Sequence, residues 1–390
     1  MNVASPIRIL CVDPNVTRDS PSMKGFLSTL PHLTANGFQI EIWCLRCEAP
    51  RDMATIRLLP AAPALGTLEN VWFVVIANLL FVWRTCVHGI KTDLIYSTGA
   101  YCLFANVVHV HFDSAEWLRA QSRMGKLTRK ERARRLITRL GAALEWLSWH
   151  SPWSRHFITV SDGMAANLRQ KLSTDKTVHV LPNSYDSTRF HPGVRDEWRA
   201  PMRQQLQLAP GAFMFIFIAT GHLQRKGFWS VLRVLHRLRQ MRHTDLRLLI
   251  VGGSDSLWKT HAAEIAHVTP DHAEWLMLAG SQREVERYYA AADAFILPSY
   301  FETFALVAQE ALSCGMRIFV TPYWGHEMYL RQDDNGWLLP PDEHGMAATI
   351  EAALNQRPWP ALEPHTHLLD TAAYAHRLAD MFHSLTPPHR

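Results

Sequence analysis

Short apolar runs alternate with longer amphipathic segments in the first half of the chain. Ile7–Val12 and Phe38–Leu45 predict buried strands, and Lys24–Ala35 between them predicts a helix that Pro31 should kink or shorten and that stops at Asn36-Gly37. Four more strands are predicted at Asp93–Tyr96, Val107–Phe112, His156–Val160 and Val178–Leu181. Strands that alternate with helices are typical of a parallel sheet with helices on its faces.

A second series of the same kind follows the turn-rich stretch Asn183–Pro192. Its strands are predicted at Phe213–Ala219, Leu246–Val251, Trp275–Leu278, Ala294–Leu297 and Ile318–Thr321. Because nearly continuous apolar strands are buried on both faces, each half is expected to be a parallel sheet between layers of helices. The predicted fold class is therefore α/β, with two Rossmann-like doubly wound parallel-sheet domains that face each other across a cleft.

The domain boundaries follow from the same pattern. Residues 1–185 are predicted to form the N-terminal domain, residues 186–368 the C-terminal domain, and residues 369–390 a helix that packs back on the N-terminal domain. A length of 390 residues fits two domains. The composition, 48% hydrophobic and 19% charged, excludes a disordered or fibrous protein.

The net charge of +5 comes from one short segment, residues 126–139. This segment carries seven basic residues and one acid, so the chain is not a polybasic nucleic-acid-binding protein. Thr128 and Glu131 match a capping box. Leucines recur at helical spacing at Leu136, Leu140, Leu144 and Leu147. The predicted helix has an apolar and a cationic face, and it is either a peripheral contact to an anionic membrane or a solvated helix.

Three features bear on the compartment. The longest apolar stretch, Val71–Trp83, is thirteen residues long. A spanning helix needs about 20, which favours a core helix or a half-buried interfacial helix. The six cysteines form no disulfide framework, and the C-x-x-C at Cys44 and Cys47 favours two thiols at a strand end over a zinc or redox site. Since the N-terminus does not resemble a signal peptide, we expect a cytoplasmic protein.

Several motifs of other enzyme classes are absent from the sequence. It contains no G-x-G-x-x-G, no P-loop and no G-x-S-x-G, so there is no sequence support for dinucleotide redox chemistry, P-loop phosphoryl transfer or a hydrolase elbow. It also contains no D-x-D, the pattern expected where carboxylates hold a divalent ion against a diphosphate. We therefore expect neither a metal nor a cofactor.

The stretch Gly221–Gly227 lies between a predicted strand and a predicted helix, where doubly wound sheets bind ligands. Glycine lets the backbone approach a ligand, while Arg225 and Lys226 supply a forked donor and a point charge that can neutralise a diphosphate. On these residues alone, a solvated turn with two surface cations is the alternative interpretation.

A second segment, Pro298–Leu312, follows a buried strand and predicts the start of a helix. Its first N–H groups, near Thr303 and Phe304, suit a sugar hydroxyl or a phosphate oxygen. Glu302 and Glu310 are expected about two helical turns apart, so they can hold two ends of an elongated ligand. The alternative is one acid stabilised by the helix dipole and one exposed acid.

Five elements in the same order resemble the family 4 glycosyltransferases, which are retaining enzymes with the two-lobed GT-B fold. Glu302 and Glu310 are spaced as in the E-x7-E signature of that family, and Gly221 with Arg225–Gly227 is similar to its diphosphate-binding turn. The other matching elements are Val160-Ser161 with Leu181–Asp186, Ala291–Asp293 with Pro298-Ser299, and Asn335–Leu338. The resemblance covers most of the chain.

The resemblance implies a donor site made of matching residues. Arg225 and Lys226 would neutralise the nucleotide diphosphate, and Glu310 would bind the nucleotide ribose. Gly221 and Asn183 would belong to the same donor site.

The resemblance also implies how the sugar is held. Glu302 and the backbone amides of Thr303 and Phe304 would bind the donor sugar, and His111 resembles the histidine of that family near the reacting centre. His109 competes for this role, because an H-x-H spacing puts both side chains on one strand face. His111 is favoured, since the carboxyl ends of strands face the cleft.

Three departures from the family leave the sugar unassigned. The usual glycine-rich loop of the first lobe is replaced by Asp19–Gly25, the glycines of the E-x7-E loop are replaced by Thr303 and Ala305, and an Asn-Gly pair is replaced by Asn183-Ser184.

The expected reaction is transfer of a hexose or related sugar from a nucleotide-diphosphate sugar to a saccharide or lipid-linked acceptor, with retention. It would serve polysaccharide, lipopolysaccharide or glycolipid synthesis, without nucleic acid as a partner, and residues 126–139 could contact the inner face of the membrane. Two alternatives stay open: a nucleotide-sugar epimerase of the same architecture and a non-catalytic sugar-nucleotide binding module.

Overall fold

The computed structural model describes residues 6–89, 92–122, 124, 129–362 and 368–386. The chain forms two compact units, each built on its own parallel sheet. The first unit combines residues 1–184 with the C-terminal segment 369–390, and the second consists of residues 185–368. The chain therefore leaves the first unit once and returns to it at its C-terminal end.

The sheets of both units are built from short strands. They are β1 (Ile7–Val12), β2 (Asn15–Val16), β3 (Phe38–Cys44), β4 (Arg46–Cys47), β5 (Thr55–Leu58), β6 (Leu94–Thr98), β7 (Val107–Val110), β8 (His156–Thr159), β9 (Thr177–Val180), β10 (Phe213–Ile218), β11 (Leu246–Val251), β12 (Leu276–Gly280), β13 (Ala294–Leu297), β14 (Arg317–Val320) and β15 (Gly336–Leu338).

Helices connect most of these strands. They are α1 (Lys24–Ala35), α2 (Glu69–His88), α3 (Ser114–Gln121), α4 (Arg129–Trp149), α5 (Asp162–Lys171), α6 (Gly193–Gln205), α7 (Phe228–Met241), α8 (Asp255–Val268), α9 (Val285–Ala291), α10 (Leu306–Ser313), α11 (Glu343–Asn355) and α12 (Thr371–Leu385).

The first unit contains a seven-stranded sheet in the order β5-β3-β1-β6-β7-β8-β9, and all its pairings are parallel. β1 lies between β3 and β6, and its last four residues are buried. The sequence pattern predicts six of these strands and misses β5. β5 is an edge strand with mostly exposed side chains, so it lacks the apolar run that marks the others.

The second unit contains a six-stranded parallel sheet in the order β12-β11-β10-β13-β14-β15. All six residues of β10 are buried, as expected for an inner strand covered on both faces. β15 is missed by the sequence pattern because it has three residues and begins with a glycine. The predicted α/β class with two parallel sheets is confirmed.

The C-terminal helix α12 packs against α1 in the first unit. Tyr374, Leu378 and Phe382 join the same buried cluster as Phe26 of α1. The ring of Phe382 lies 5.5 Å from that of Tyr96 on β6. The segment after residue 368 is therefore part of the core of the first unit.

α1 has the bounds that the sequence predicts, whereas α2 is longer than predicted. α1 continues through Pro31 to Ala35 and is followed by Gly37 in a left-handed conformation (φ 81°), so the proline does not shorten it. α2 has 20 residues, more than the thirteen-residue apolar run that predicts it. Glu69–Val87 is long and apolar enough to cross a membrane, and 22% of its apolar window is buried. Core helices of soluble proteins pass the same test of length and composition.

Candidate functional site

The turn between β10 and α7 in the second unit is held against the segment that follows β13. Gly227 has a φ of 77°, and a Cβ atom there would lie 2.1 Å from the carbonyl oxygen of Pro298. The backbone N–H of Tyr300 donates to the Arg225 carbonyl at 2.8 Å, and the Ser299 hydroxyl donates to the same oxygen at 3.0 Å. The close approach of the two segments thus requires the glycine.

This contact brings the two cations of the turn to Glu302. Nη2 of Arg225 lies 4.0 Å from Oε1 of Glu302, and Nζ of Lys226 lies 3.9 Å from the same oxygen. Both distances exceed the roughly 2.7–2.9 Å of a charge-assisted hydrogen bond. Burial lowers the pKa of the Lys226 ammonium, and the nearby Glu302 carboxylate opposes that change.

Glu310 belongs to the same group of charges. The Tyr289 hydroxyl of α9 lies 3.2 Å from Oε2 of Glu310 and 2.9 Å from the carbonyl oxygen of Val307, so its single proton is shared between these two acceptors. The Glu310 carboxylate, like that of Glu302 but more weakly, opposes the lowering of the Lys226 pKa, so the two charges interact. Arg225, Lys226, Glu302 and Glu310 therefore form one cluster, which we call the charged cluster.

The helix behind the cluster begins later than the sequence predicts. α10 starts at Leu306, so Thr303 and Phe304 lie in the loop before it, and Glu310 is the fifth residue of the helix. The expectation that Glu302 and Glu310 are two helical turns apart is wrong. The loop is packed tightly instead: a Cβ atom on Gly325 would lie 2.9 Å from both the Cα of Phe304 and the carbonyl oxygen of Thr303.

Gly221 and Asn183, the remaining predicted donor residues, lie in different surroundings. A Cβ atom on Gly221 would meet no atom within 4 Å, so the space beside this backbone is open. Asn183 is half-buried and belongs to the first unit, two residues before the second unit begins at residue 185. The structure therefore groups Gly221, but not Asn183, in the unit that holds the charged cluster.

The two candidate histidines of the first unit differ in position. β7 ends at Val110, earlier than predicted, so His111 directly follows the strand and His109 lies within it. His109 is fully buried, and its Nδ1 is 2.7 Å from the hydroxyl of Tyr96. The His111 ring lies 4.1 Å from the His109 ring, and burial lowers the pKa of His111 to about 4. His111 is therefore a neutral imidazole at neutral pH.

His111 lines a cavity of about 470 Å³ within the first unit. We call it the first-unit cavity. Its walls combine strand ends and loops with α2 and α4, and the lining residues include Ser22, Asn70, Val71, Val74, Thr98, Tyr101, His111, Phe112, Ser114, Ile137, Gly141, Leu144 and Glu145. The apolar members come mainly from the two helices, so the cavity has polar and apolar walls.

Glu145 is a cavity residue that sequence reasoning misses. The backbone N–H and the hydroxyl of Ser114 donate to its carboxylate at 2.8 and 2.6 Å. Desolvation by burial nevertheless raises the pKa of Glu145 to about 7. A weak signal exists in the sequence, since Glu145 is an acid inside the leucine repeat of α4 and next to Leu144.

The leucine repeat itself does not form a buried face. Leu136, Leu140 and Leu147 are exposed, and Leu144 lines the first-unit cavity. Thr128 of the expected capping box lies outside the described residues.

The cysteine pair shows no metal site. Among the residues that the structure describes, no group of three or more His, Cys, Asp or Glu side chains is arranged to hold a metal ion. Cys44 and Cys47 are free thiols, and the hydrogen bond from Cys44 lowers the pKa of Cys47 to about 7.

Comparison with known proteins shows a family match over most of the second unit. Residues 199–372 match the family of group 1 glycosyl transferases. D-inositol 3-phosphate glycosyltransferase 1 of Catenulispora acidiphila is 25% identical over 379 residues, which cover 85% of this chain and 81% of that protein. Further D-inositol 3-phosphate glycosyltransferases align over 34% to 55% of their own length.

Solved structures share the fold. WaaG, a glycosyltransferase involved in lipopolysaccharide biosynthesis, has a TM-score of 0.68 at 17% identity, and the match covers 97% of both chains. HepE of Anabaena, in complex with UDP and glucose, has a TM-score of 0.67 at 15% identity over 97% of this chain and 100% of that one. Both likenesses concern the GT-B fold.

Proposed function

We propose that this glycosyltransferase, whose residues 199–372 form a group 1 domain, transfers a sugar from a nucleotide-diphosphate sugar to an acceptor hydroxyl with retention of configuration. The enzyme class is given by the family match and by the relatives named above. The retaining mechanism and the family 4 type rest on the spacing of Glu302 and Glu310. Nothing favours the epimerase alternative over transfer.

The strongest support for a diphosphate donor comes from the surroundings of Lys226. Its ammonium is buried, and its contacts are long: 3.9 Å to Oε1 of Glu302 and 3.5 Å to the carbonyl oxygen of Ile218. Burying a cation with such loose contacts costs free energy, and an anionic ligand recovers it. With Arg225 beside it and open space at Gly221, a diphosphate is the ligand that this turn fits.

The reaction follows from these charges. The bond between the sugar C1 and the diphosphate oxygen breaks, the acceptor oxygen bonds to C1, and the proton of the acceptor hydroxyl leaves with the diphosphate. Negative charge grows on the leaving diphosphate in the transition state, so Arg225 and Lys226 stabilise that state more than the bound substrate. We assign the nucleotide ribose to Glu310, and the donor sugar to Glu302 and to the backbone of Thr303 and Phe304. Because these cations come from the chain, the proposed reaction needs no divalent metal.

We assign the acceptor to the first-unit cavity. It holds polar groups that can bind hydroxyls, among them Ser114 and Glu145, next to apolar walls that suit the carbon face of a sugar. His111, neutral because burial lowers its pKa, is assigned to the transferred sugar on the basis of the family resemblance. An uncharged imidazole can accept or donate a hydrogen bond there.

The names of the relatives guide the choice of donor and pathway. HepE binds UDP and glucose, and WaaG acts in lipopolysaccharide biosynthesis. We infer a uridine or similar nucleotide donor and a role in polysaccharide, lipopolysaccharide or glycolipid assembly, at the cytoplasmic side of the membrane. Arg132, Arg134 and Arg139, which are exposed on α4, would then face the anionic inner leaflet.

A thermal-shift screen tests the donor proposal. A ligand that binds only the native state raises the melting temperature, by an amount equivalent to about 2.7 kcal/mol at a hundred times its dissociation constant. We expect UDP-glucose or another nucleotide-diphosphate sugar to raise it, and free glucose to have no effect. If no nucleotide-diphosphate sugar changes the melting temperature, the proposal is wrong.

A further inference from the structure

α2 packs against the first unit along one face, and from the other face the indole N–H of Trp72 donates to the Pro60 carbonyl at 2.9 Å. Phe73, Ala77 and Phe81 recur at four-residue spacing and are buried. The polar side chain of Asn78 also forms hydrogen bonds within the unit. Its amide donates to the Tyr101 carbonyl at 3.2 Å, and its oxygen accepts from the Leu103 N–H at 2.8 Å. These contacts hold α2 along the surface of the unit, so it is not a free segment that crosses a bilayer.

The opposite face of α2 is apolar and exposed. Leu79 is 65% exposed and Trp83 is 53% exposed. Four more large side chains on the same helix are exposed: Trp72, Val75, Val82 and Val87. Isolated exposed apolar residues are common, but a contiguous row at helical spacing marks a surface that binds something.

α4 adds a second exposed row that carries positive charge. Leu136 and Leu140 are exposed. Arg132 and Arg139 are exposed as well, and lie four residues before and three residues after Leu136. Residues three and four apart are neighbours on a helix, so the arginines border the leucines. A helix with leucines flanked by arginines matches the chemistry of an anionic lipid surface, whose interior takes the apolar side chains and whose phosphates take the cations.

Both exposed rows adjoin the first-unit cavity. Val71 lines the cavity and lies one turn before the exposed Val75 on α2. On α4, Ile137 and Leu144 line the cavity, three residues before and four residues after the exposed Leu140. The apolar surface therefore continues from the outside of each helix to the wall of the cavity.

We propose that the exposed faces of α2 and α4 form a lipid-binding surface that lies on an anionic membrane, with the first-unit cavity beside it. This surface extends beyond the basic segment 126–139, because it includes the uncharged face of α2. The inference rests on the proposed function only where it treats the cavity as an acceptor site. An acceptor whose sugar is joined to a lipid would then reach the cavity from the membrane without leaving it.

Co-sedimentation with vesicles tests the surface. We expect the wild-type protein to bind vesicles of phosphatidylglycerol and phosphatidylcholine, and to bind phosphatidylcholine vesicles more weakly. The double variant Leu79→Asp/Trp83→Asp should bind the anionic vesicles about a hundredfold more weakly, because each large side chain kept out of lipid costs at least about tenfold. Arg132→Glu/Arg139→Glu should weaken binding to the anionic vesicles only.

The matched control lies in the second unit. Met241 and Leu278 are 51% and 44% exposed, so Met241→Asp/Leu278→Asp makes the same chemical change at a similar exposure. We expect this variant to bind vesicles like the wild type. All variants should keep the melting temperature of the wild type in buffer and its shift with UDP-glucose.

Cys86 supplies an independent measurement. It lies on α2 and is exposed, whereas Cys47 is half-buried and the other four cysteines are buried. An environment-sensitive fluorophore on Cys86, in a Cys47→Ser background, should brighten and shift to shorter wavelength with the anionic vesicles. The same label on Leu278→Cys, with Cys86→Ser added, should not respond.

Two results would overturn the inference. One is a wild-type protein that is folded, as its melting transition shows, but stays off anionic vesicles. The other is a wild-type dimer that Leu79→Asp/Trp83→Asp converts to a monomer, because the exposed face would then bind a second copy of the chain. Neither result would bear on the proposed donor site, which is tested by the change in melting temperature with nucleotide-diphosphate sugars alone.

Discussion

The first-unit cavity and the charged cluster of the second unit both lie where parallel strands end, but their side chains differ in chemical character. The cavity has apolar helical walls, and burial favours the neutral forms of His111 and Glu145 by lowering the pKa of the first to about 4 and raising that of the second to about 7. The cluster brings two cations and two carboxylates together. The Arg225 and Lys226 cations suit a polyanion, whereas polar groups beside apolar walls suit a saccharide.

The family match also separates the charged cluster from the first-unit cavity. Residues 199–372 include the whole charged cluster and none of the residues that line the first-unit cavity. What this chain shares with group 1 glycosyl transferases is therefore the part that we assign to the donor. The acceptor would be selected by side chains outside the matched region, such as Glu145 and those of α2.

The largest effect on activity is expected when the buried cation of Lys226 is removed. We expect Lys226→Ala to lower kcat about 100- to 1000-fold, since loss of one preorganised electrostatic contact to a developing charge typically costs that much. Release of the nucleotide from the donor that the thermal-shift screen identifies gives the rate. Arg233→Ala is the control, because Arg233 is an exposed cation of the same unit that pairs with Glu343, and it should leave kcat unchanged.

Chelation separates the protein cations from a metal. EDTA should leave the wild-type rate unchanged if Arg225 and Lys226 alone neutralise the diphosphate. Full loss of activity in EDTA, restored by Mg²⁺, would show that the cluster does not act as proposed.

The neutral state of the cavity can be tested through Glu145. Its pKa in the folded protein, about 7, is raised from 4.5, so the folded state holds the proton more tightly than the unfolded state. The free energy of unfolding should therefore fall as the pH rises from about 4.5 to 7. Glu145→Gln removes this titration, and we expect it to gain on the order of 2 kcal/mol relative to the wild type across that range.

Urea unfolding at several pH values measures this difference. Glu197→Gln is a suitable control, since Glu197 is an exposed acid on α6 and its replacement should change the free energy of unfolding little at each of these pH values. A difference for Glu145→Gln that is equally flat would mean that folding does not raise the pKa of Glu145.

The sequence predicts the charged cluster better than the cavity, for a physical reason. Arg225, Lys226 and Glu302 all follow buried strands at short distance, and the apolar pattern of a strand locates the loop that comes after it. Glu145 comes from a helix, where only the packing of α4 against α3 turns it toward Ser114. Local pattern carries no information on such a contact.

Boundaries and exposure are also beyond the local pattern. α10 starts at Leu306, and the loop before it packs at Phe304 against Gly325, a residue later in the chain that the local pattern does not reveal. Leu136 and Leu140 have the spacing of a buried helix face and are nevertheless exposed. Periodicity predicts that a helix has an apolar face, but not what covers that face.

The two carboxylates of the charged cluster give the smallest expected effect and the finest division of the donor site. If Glu310 binds the ribose, Glu310→Gln should weaken UDP binding about tenfold, because one hydrogen bond to a charged group contributes about 1.5 kcal/mol. Glu302→Gln should leave UDP affinity unchanged and lower the affinity for the complete donor sugar nucleotide. Calorimetric titration of each variant with UDP and with UDP-glucose measures both effects, and each variant serves as the control for the other. Equal losses for UDP in the two variants would mean that both carboxylates act through Lys226, to which both are electrostatically coupled, and not on separate parts of the donor.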